Sequence, residues 1–207
     1  MRILLDDELL MGIYTDLAQA LEAGREQAAA QGRMIAEVFF DGRLVEEEEL
    51  VRYCNGEDAC EAEEIRLQTV NPSTLVRDTL SQAAEALQRV VDLQAQVGEM
   101  LQTGDMNQAV SRISEPLELW GKVHQAIVQC GLLMQLDMQE FTVDGVPAVT
   151  IVNSLAEHLR QVRDALVNHD EVALADELSY ELADEAQRWQ KLMSAMMDIL
   201  VTVETTG

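Results

Sequence analysis

STLVRDTLSQAAEALQRVVDLQAQVGEMLQTGD, residues 73–105, carries the longest unbroken pattern in the chain. Val76, Leu80, Ala83, Leu87, Val90, Gln94, Val97 and Leu101 recur at four- and three-residue steps. A helix turns once in 3.6 residues, so this spacing draws one apolar seam along a long helix, with Gln94 as its single polar member. Ser73 stands where an N-cap is needed. Gly104 is placed to stop the helix and Asp105 to cap the next one.

Downstream, Met106, Val110, Ile113, Leu117, Trp120, His124 and Ile127 keep the same steps. Pro116 falls among them. A proline inside a helix costs about 3 kcal/mol and removes one backbone hydrogen bond. The helix therefore either kinks at Pro116 or ends near Ile113 and restarts from Ser114. A kink is favoured because the seam continues in phase, to an end near Leu136. Asp144-Gly145 marks a tight turn within residues 141–147, as a hairpin or an irregular link. Pro147 suits the first turn of a third helix, with Val152, Leu155, Leu159, Val162 and Leu166 on its seam. Asn168-His169-Asp170 repeats the earlier punctuation. A last helix follows with Ala175, Leu178, Leu182, Ala186, Trp189, Met193, Met196, Leu200 and Val203. Four long amphipathic helices with short links predict an up-down four-helix bundle over residues 73–204, with a frayed tail at 205–207.

Residues 1–71 read differently. Ile3-Leu4-Leu5 suits a strand, after which Asp6 or Asp7 would cap a helix bearing Leu10, Ile13, Leu17, Leu21 and Ala28. Gly32 would end it. Met34–Phe40, Asp41-Gly42 and Arg43–Val45 form a hairpin pattern. Glu46–Glu49 start a short helix. Residues 64–70 alternate, with Ile65, Leu67 and Thr69 on one face. The expected fold class is α+β: a small, mostly antiparallel sheet of three or four strands with one main helix, then the bundle. The Ile65 strand is a candidate open edge.

The chain has 207 residues, 48% of them hydrophobic and 4% aromatic, enough for sizeable cores built from Leu, Val, Ala and Met. Its net charge of -24 argues against nucleic-acid and anionic-membrane partners and favours a basic protein partner. Only Lys122 and Lys191 are lysines. Three cysteines do not make a disulfide framework, although Cys54 and Cys60 are close enough to pair under oxidation. Reduced thiols, the lack of a secretory leader pattern and the lack of any apolar run near the roughly 20 residues of a membrane span lead to a cytoplasmic expectation.

Catalytic motifs are missing: there is no Gly-rich phosphate loop and no nucleophile elbow. His124 lies on an apolar seam without metal-ligand partners, and His169 falls at a helix end. Glu177, Glu181, Asp184 and Glu185 fall roughly on one helical face and are the metal candidates, in the manner of bundle enzymes that hold a divalent ion around a phosphate chain. Met134, Met138, Met193, Met196 and Met197 are candidates for a partner groove. The leading reading is a non-enzymatic interaction protein, an adaptor, chaperone or regulatory component without a cofactor. In class it is similar to some bacterial flagellar and type III export chaperones. The alternative is a divalent-metal-dependent helical-bundle enzyme acting on a phosphate-containing small molecule. Surplus apolar seam also leads to an expectation of homodimerisation.

The charge has a direct consequence. Self-repulsion at -24 weakens the compact state, and the Debye length shortens from about 30 Å at 0.01 M salt to about 8 Å at 0.15 M. The melting temperature is expected to rise as sodium chloride is added over that range. A melting temperature indifferent to salt in differential scanning fluorimetry would contradict this.

Overall fold

The computed structural model describes residues 2–12, 14 and 16–206, with side chains to residue 201. It divides into two compact units, residues 1–75 and 76–207. The fold is α+β.

In the first unit, β1 (Arg2–Leu5) turns back through Asp6-Asp7 into β2 (Glu8–Leu9), pairing Leu5 with Glu8. Asp6 and Asp7 both have positive φ, at 47° and 70°, the pattern of a type I′ turn. They do not cap a helix as expected. Two short polar side chains that tolerate left-handed backbone close a hairpin here. The helix α1 (Leu17–Ala30) begins later, capped by Asp16, whose carboxylate accepts from the Gln19 amide. Ile13, expected on that helix, lies outside the described residues. Gly24, midway along α1, sits over the sheet so closely that an added Cβ would lie 2.4 Å from Leu67 Cδ1. Close approach accounts for a glycine where helix propensity disfavours one. Gly32, at φ 67°, follows the helix end.

Next come β3 (Met34–Phe40), a second left-handed turn at Asp41-Gly42, β4 (Arg43–Leu44), α2 (Glu47–Cys54) and β5 (Glu64–Val70). The sheet has five strands in the order β2-β1-β5-β3-β4. It is mixed, because β1 and β5 run parallel while the other neighbours are antiparallel. This corrects the expectation of three or four strands and of an open edge at Ile65. That residue's strand is central, with Ile65 and Leu67 fully buried and Thr69 nearly so. The three described-residue thiols are free.

Asn71 follows β5. Its side-chain oxygen accepts from the amides of Ser73 and Thr74 at 2.9 and 3.3 Å, so Asn71 caps α3 (Pro72–Gln102) and Ser73 does not. Pro72 takes the first helical position, where a missing N–H costs nothing. The α3 seam is buried at all eight expected positions, Gln94 included. Gly104 has φ 82°, and Asp105 accepts from the Gln108 amide.

The following stretch is two helices, α4 (Met106–Arg112) and α5 (Ser114–Leu133), joined through Ile113 in helical conformation. Pro116 cannot donate to the Arg112 carbonyl, and the regular bonding lapses one turn earlier. Pro116 is itself buried, and the seam runs through Ala109, Ile113, Pro116, Trp120, Val123, Ile127 and Cys130. It shares Ile113, Trp120 and Ile127 with the expected seam but is shifted by one residue at Ala109, Pro116 and Val123: Val110 is exposed and His124 is half-buried against Trp189. Burial raises the Cys130 thiol pKa to about 11, so it is an inert core group.

Residues 142–147 form the hairpin β6 (Thr142–Val143) and β7 (Val146–Pro147) around left-handed Asp144-Gly145. Then α6 (Ala148–Asn168) starts at once despite its β-branched first turn. His169, at φ 54°, ends it, and Asp170 caps α7 (Glu171–Asp176) through the Ala173 amide. A π turn over Glu177–Glu181 leads into α8 (Leu182–Thr206). The helices of this unit and the hairpin share one core, centred on Trp120 and Trp189 in edge-to-face contact at 5.6 Å. Helix continues to Thr206, over residues expected to fray; the side chain of Val203 lies outside the described ones. No described helix is long and apolar enough to cross a membrane.

Asp6 ties the first hairpin to the central strand by accepting from both the Thr69 amide and the Thr69 hydroxyl, with Arg33 alongside. Burial pushes its carboxyl pKa up, but these bonds and Arg33 prevail and hold it below the ordinary value. Asp6→Ala strands a buried amide and is expected to cost about 1–3 kcal/mol in urea unfolding. Unchanged stability would show that the Thr69 bonds carry no weight.

Candidate functional site

The most unusual chemistry in the chain lies where α6 faces the π turn and α8. Ser154 and His158 stand one turn apart on α6. Opposite them are Glu177, 5% exposed, and Glu185, fully buried. His158 Nδ1 lies 2.6 Å from Glu177 Oε1, and its Nε2 lies 3.9 Å from Glu185 Oε2. One imidazole therefore stands between two carboxylates, one at each ring nitrogen.

Glu185 is further engaged. Its Oε1 faces the Ser154 hydroxyl at 2.5 Å and accepts from Trp189 Nε1 at 2.9 Å; its Oε2 accepts from Arg188 Nη1 at 3.2 Å. Ser154 Oγ also lies 2.8 Å from the Ile151 carbonyl. A hydroxyl has one proton, so it donates to one of these two oxygens at a time. When Glu185 is ionised, the charge-assisted bond is the stronger choice. Among the described residues, no buried side-chain nitrogen or oxygen lacks a partner.

The π turn brings the two glutamates together. In a regular α-helix, residues eight apart are rotated by about 80°. A π turn accommodates one extra residue, so the pair is offset as if seven apart, about 20°. Glu177 and Glu185 thus meet the same ring. The turn is held from the other side by Gln94, whose Nε2 donates to the Leu178 carbonyl at 3.3 Å. Its Oε1 accepts from Trp120 Nε1 at 2.6 Å.

The metal candidates are therefore split. Glu181 and Asp184 are exposed, while Glu177 and Glu185 are buried. The four do not share a face, because the π turn shifts the register between them. No group of three or more His, Cys, Asp or Glu suited to a metal ion occurs among the described residues. His158 does not complete one either, since the two carboxylates address opposite ring nitrogens. Of the methionines, Met193 and Met196 are core, and Met134, Met138 and Met197 are partly buried against it. Met138 lines an apolar groove of ≈ 210 Å³ with Val128, Gly131, Leu132, Leu136, Val149 and Val152.

A cavity of ≈ 390 Å³ opens beside the polar cluster, lined by Val143, Asp144, Val146, Thr150, Ile151, Ser154, Arg188 and Lys191. Ser154 belongs to both features. Lys191 Nζ pairs with Asp144 Oδ2 at 2.6 Å, and both residues line the cavity.

A family described as Domain of unknown function (DUF8042) matches residues 78–192, more than half of the chain. The chain belongs to that family. Among curated proteins and solved structures, nothing matches. The DUF8042 segment contains Gln94, both tryptophans, Ser154, His158, both buried glutamates and the whole cavity lining. It excludes the five-stranded sheet.

Neither Ser154 nor His158 stands out in the sequence, where His124 is the histidine on the expected seam. One usable signal was Ser154 and His158 at i and i+4 on the same side as Leu155 and Val162. The partners were hidden by the register shift.

Burial raises the Glu177 carboxyl pKa above the ordinary Glu value, opposed by the His158 hydrogen bond and aided by the Glu181 charge. A raised carboxyl pKa favours the fold while the group is protonated, and that contribution is lost as pH rises through the folded value. Glu177→Gln keeps an oxygen for His158 but cannot ionise. The variant is expected to gain melting temperature relative to the parent as pH rises from about 4 to 7, and to show no gain at the acid end. A difference constant across that window would refute the burial argument.

Proposed function

We propose that this protein is a non-enzymatic interaction component, an adaptor, chaperone or regulatory subunit, that receives a basic amphipathic segment of a protein partner. The helices would serve as an up-down four-helix scaffold made of two helical hairpins. The observation that carries the reading is the groove over Gly131. It is lined by apolar side chains, and Leu132 on its rim is 73% exposed. With Val128 37% exposed beside it, the rim and groove form a contiguous apolar surface of the kind that receives a partner. Gly131 gives the groove its depth, because a Cβ there would press against Met138 at 3.3 Å. The turn that carries Met138 also presents Asp137 and Glu140 to solvent.

Charge selects the occupant. The chain carries 38 acidic against 14 basic residues, so a segment with apolar anchors and lysines or arginines on its other face is steered in, and an acidic one is repelled. A cytoplasmic location and self-association as a homodimer accord with this role. The divalent-metal alternative has less support, with two of its four carboxylates solvent-facing and two bonded to His158, Ser154, Trp189 and Arg188.

Fluorescence anisotropy with a short labelled Lys/Leu amphipathic helical peptide tests this. Binding is expected, weakening with salt, and Leu132→Asp should reduce affinity about tenfold or more, roughly 1.4 kcal/mol. The exposed position makes the substitution harmless to folding. Equal binding of a Glu/Leu peptide, or full affinity in Leu132→Asp, would overturn the proposal.

A further inference from the structure

We propose that the open cavity bordered by α6, α8 and the β6–β7 hairpin is a binding site for a carboxylate carrying a short apolar side chain. The chain spends few cations anywhere, and only two of its basic residues are lysines. Yet Arg188 and Lys191, one helical turn apart on α8, both line this one cavity. Among the described residues, neither is saturated. The guanidinium has five N–H donors and uses one, at 3.2 Å, on Glu185. The ammonium has three and uses one on Asp144, at 2.6 Å. The hydroxyl-bearing residues Thr150 and Ser154 line the same space.

Apart from Asp144, which pairs with Lys191, the rest of the wall is apolar: Val143, Val146 and Ile151. At ≈ 390 Å³ the cavity falls in the range of small-molecule sites, which combine apolar walls with a few convergent polar groups. A planar carboxylate matches the fork of a guanidinium, and a branched aliphatic group matches the valine and isoleucine wall. The charge count decides between anions. Arg188 and Lys191 balance Glu185 and Asp144, so a bound monoanion adds one uncompensated charge and a phosphate dianion adds two. In a chain already at -24, the monoanion is favoured.

The site also has an inner connection. Ser154 Oγ reaches Glu185, which is bonded to Trp189. A ligand that draws Arg188 or the Ser154 hydroxyl toward itself changes the environment of a fully buried indole. Occupancy should therefore be visible in tryptophan fluorescence. This site uses residues other than those of the Gly131 groove, so either can fail alone.

The carboxylate could be a free acid or the C-terminus of a peptide chain. Titrations of the full chain with 4-methylpentanoate, N-acetyl-leucine and N-acetyl-leucinamide, read by calorimetry and tryptophan fluorescence, test the site and separate the sources. Saturable binding of at least one acid is expected, with a Kd on the order of 1 mM or tighter. The amide should bind about tenfold more weakly or not at all. Stronger binding of 4-methylpentanoate assigns a free acid; stronger binding of N-acetyl-leucine assigns a chain end. Arg188→Gln should lose about tenfold in affinity. Because Arg188 touches a buried glutamate, Lys191→Met is the second variant, and it too should weaken binding while the melting temperature holds. Equal affinity for the amide, displacement by equimolar inorganic phosphate, undiminished binding in both variants, or no saturable binding up to about 10 mM acid would each overturn the proposal.

Discussion

The Gln94 side chain is the point on which the helical unit turns. It sits in the middle of the most regular seam in the chain, 1% exposed, where apolar side chains would pack as well. An amide there is tolerable only if both of its ends are paired, since an unpaired buried polar group costs about 1–3 kcal/mol. Trp120 supplies the donor for its oxygen, and the Leu178 carbonyl accepts from its nitrogen. That carbonyl lies inside the π turn, where regular helical bonding is disturbed. The seam of one helix thus secures the irregularity of another.

From that irregularity the polar cluster follows. Without the extra residue, Glu177 and Glu185 would be rotated apart and could not both meet His158. With it, two buried carboxylates and a half-buried imidazole sit within a core otherwise built mainly from leucine, valine, alanine, isoleucine, methionine and tryptophan, with the exposed Arg188 at its edge. Such clusters are weak evidence for stability, because desolvation of the charges offsets much of their attraction. Glu177 shows the strain directly, since burial outweighs its hydrogen bond to His158 and raises its pKa. Glu185 accepts from Ser154, Trp189 and Arg188. Arg188 and Ser154 in turn reach the cavity, so the cluster has one route to solvent through groups that can exchange partners.

What was legible in the sequence follows from how local the controlling physics is. The α3 seam, the cap at Asp105, and the turns at Asp41-Gly42 and Asp144-Gly145 are settled by residues within a turn or two of one another, and they stand as read. Asp6-Asp7 was misread because two aspartates serve equally as a helix cap and as a left-handed turn; pairing with Leu9 and Glu8 decides between them. The parallel pairing of β1 with β5 joins residues some sixty positions apart and leaves no periodic trace. The shift of the α5 seam follows from Pro116 being packed inward instead of merely tolerated. The site was least legible, because its four groups come together only after a one-residue register change that no spacing rule anticipates.

The extent of the DUF8042 match adds a last constraint. It begins at residue 78, within α3, and ends at residue 192, just after Lys191. Every group of the polar cluster and every wall of the cavity lies inside it, as does the Gly131 groove. The five-stranded sheet has its own core, from Ile3 to Leu67, and shares none of these residues. A domain held by its helices alone has little need of a buried imidazole between two glutamates, and apolar replacements of similar volume would cost less desolvation. On the proposal that the cavity takes a ligand, the cluster serves binding more than it holds the domain together. Its position next to the cavity, with Ser154 shared between them, is the physical reason for that conclusion.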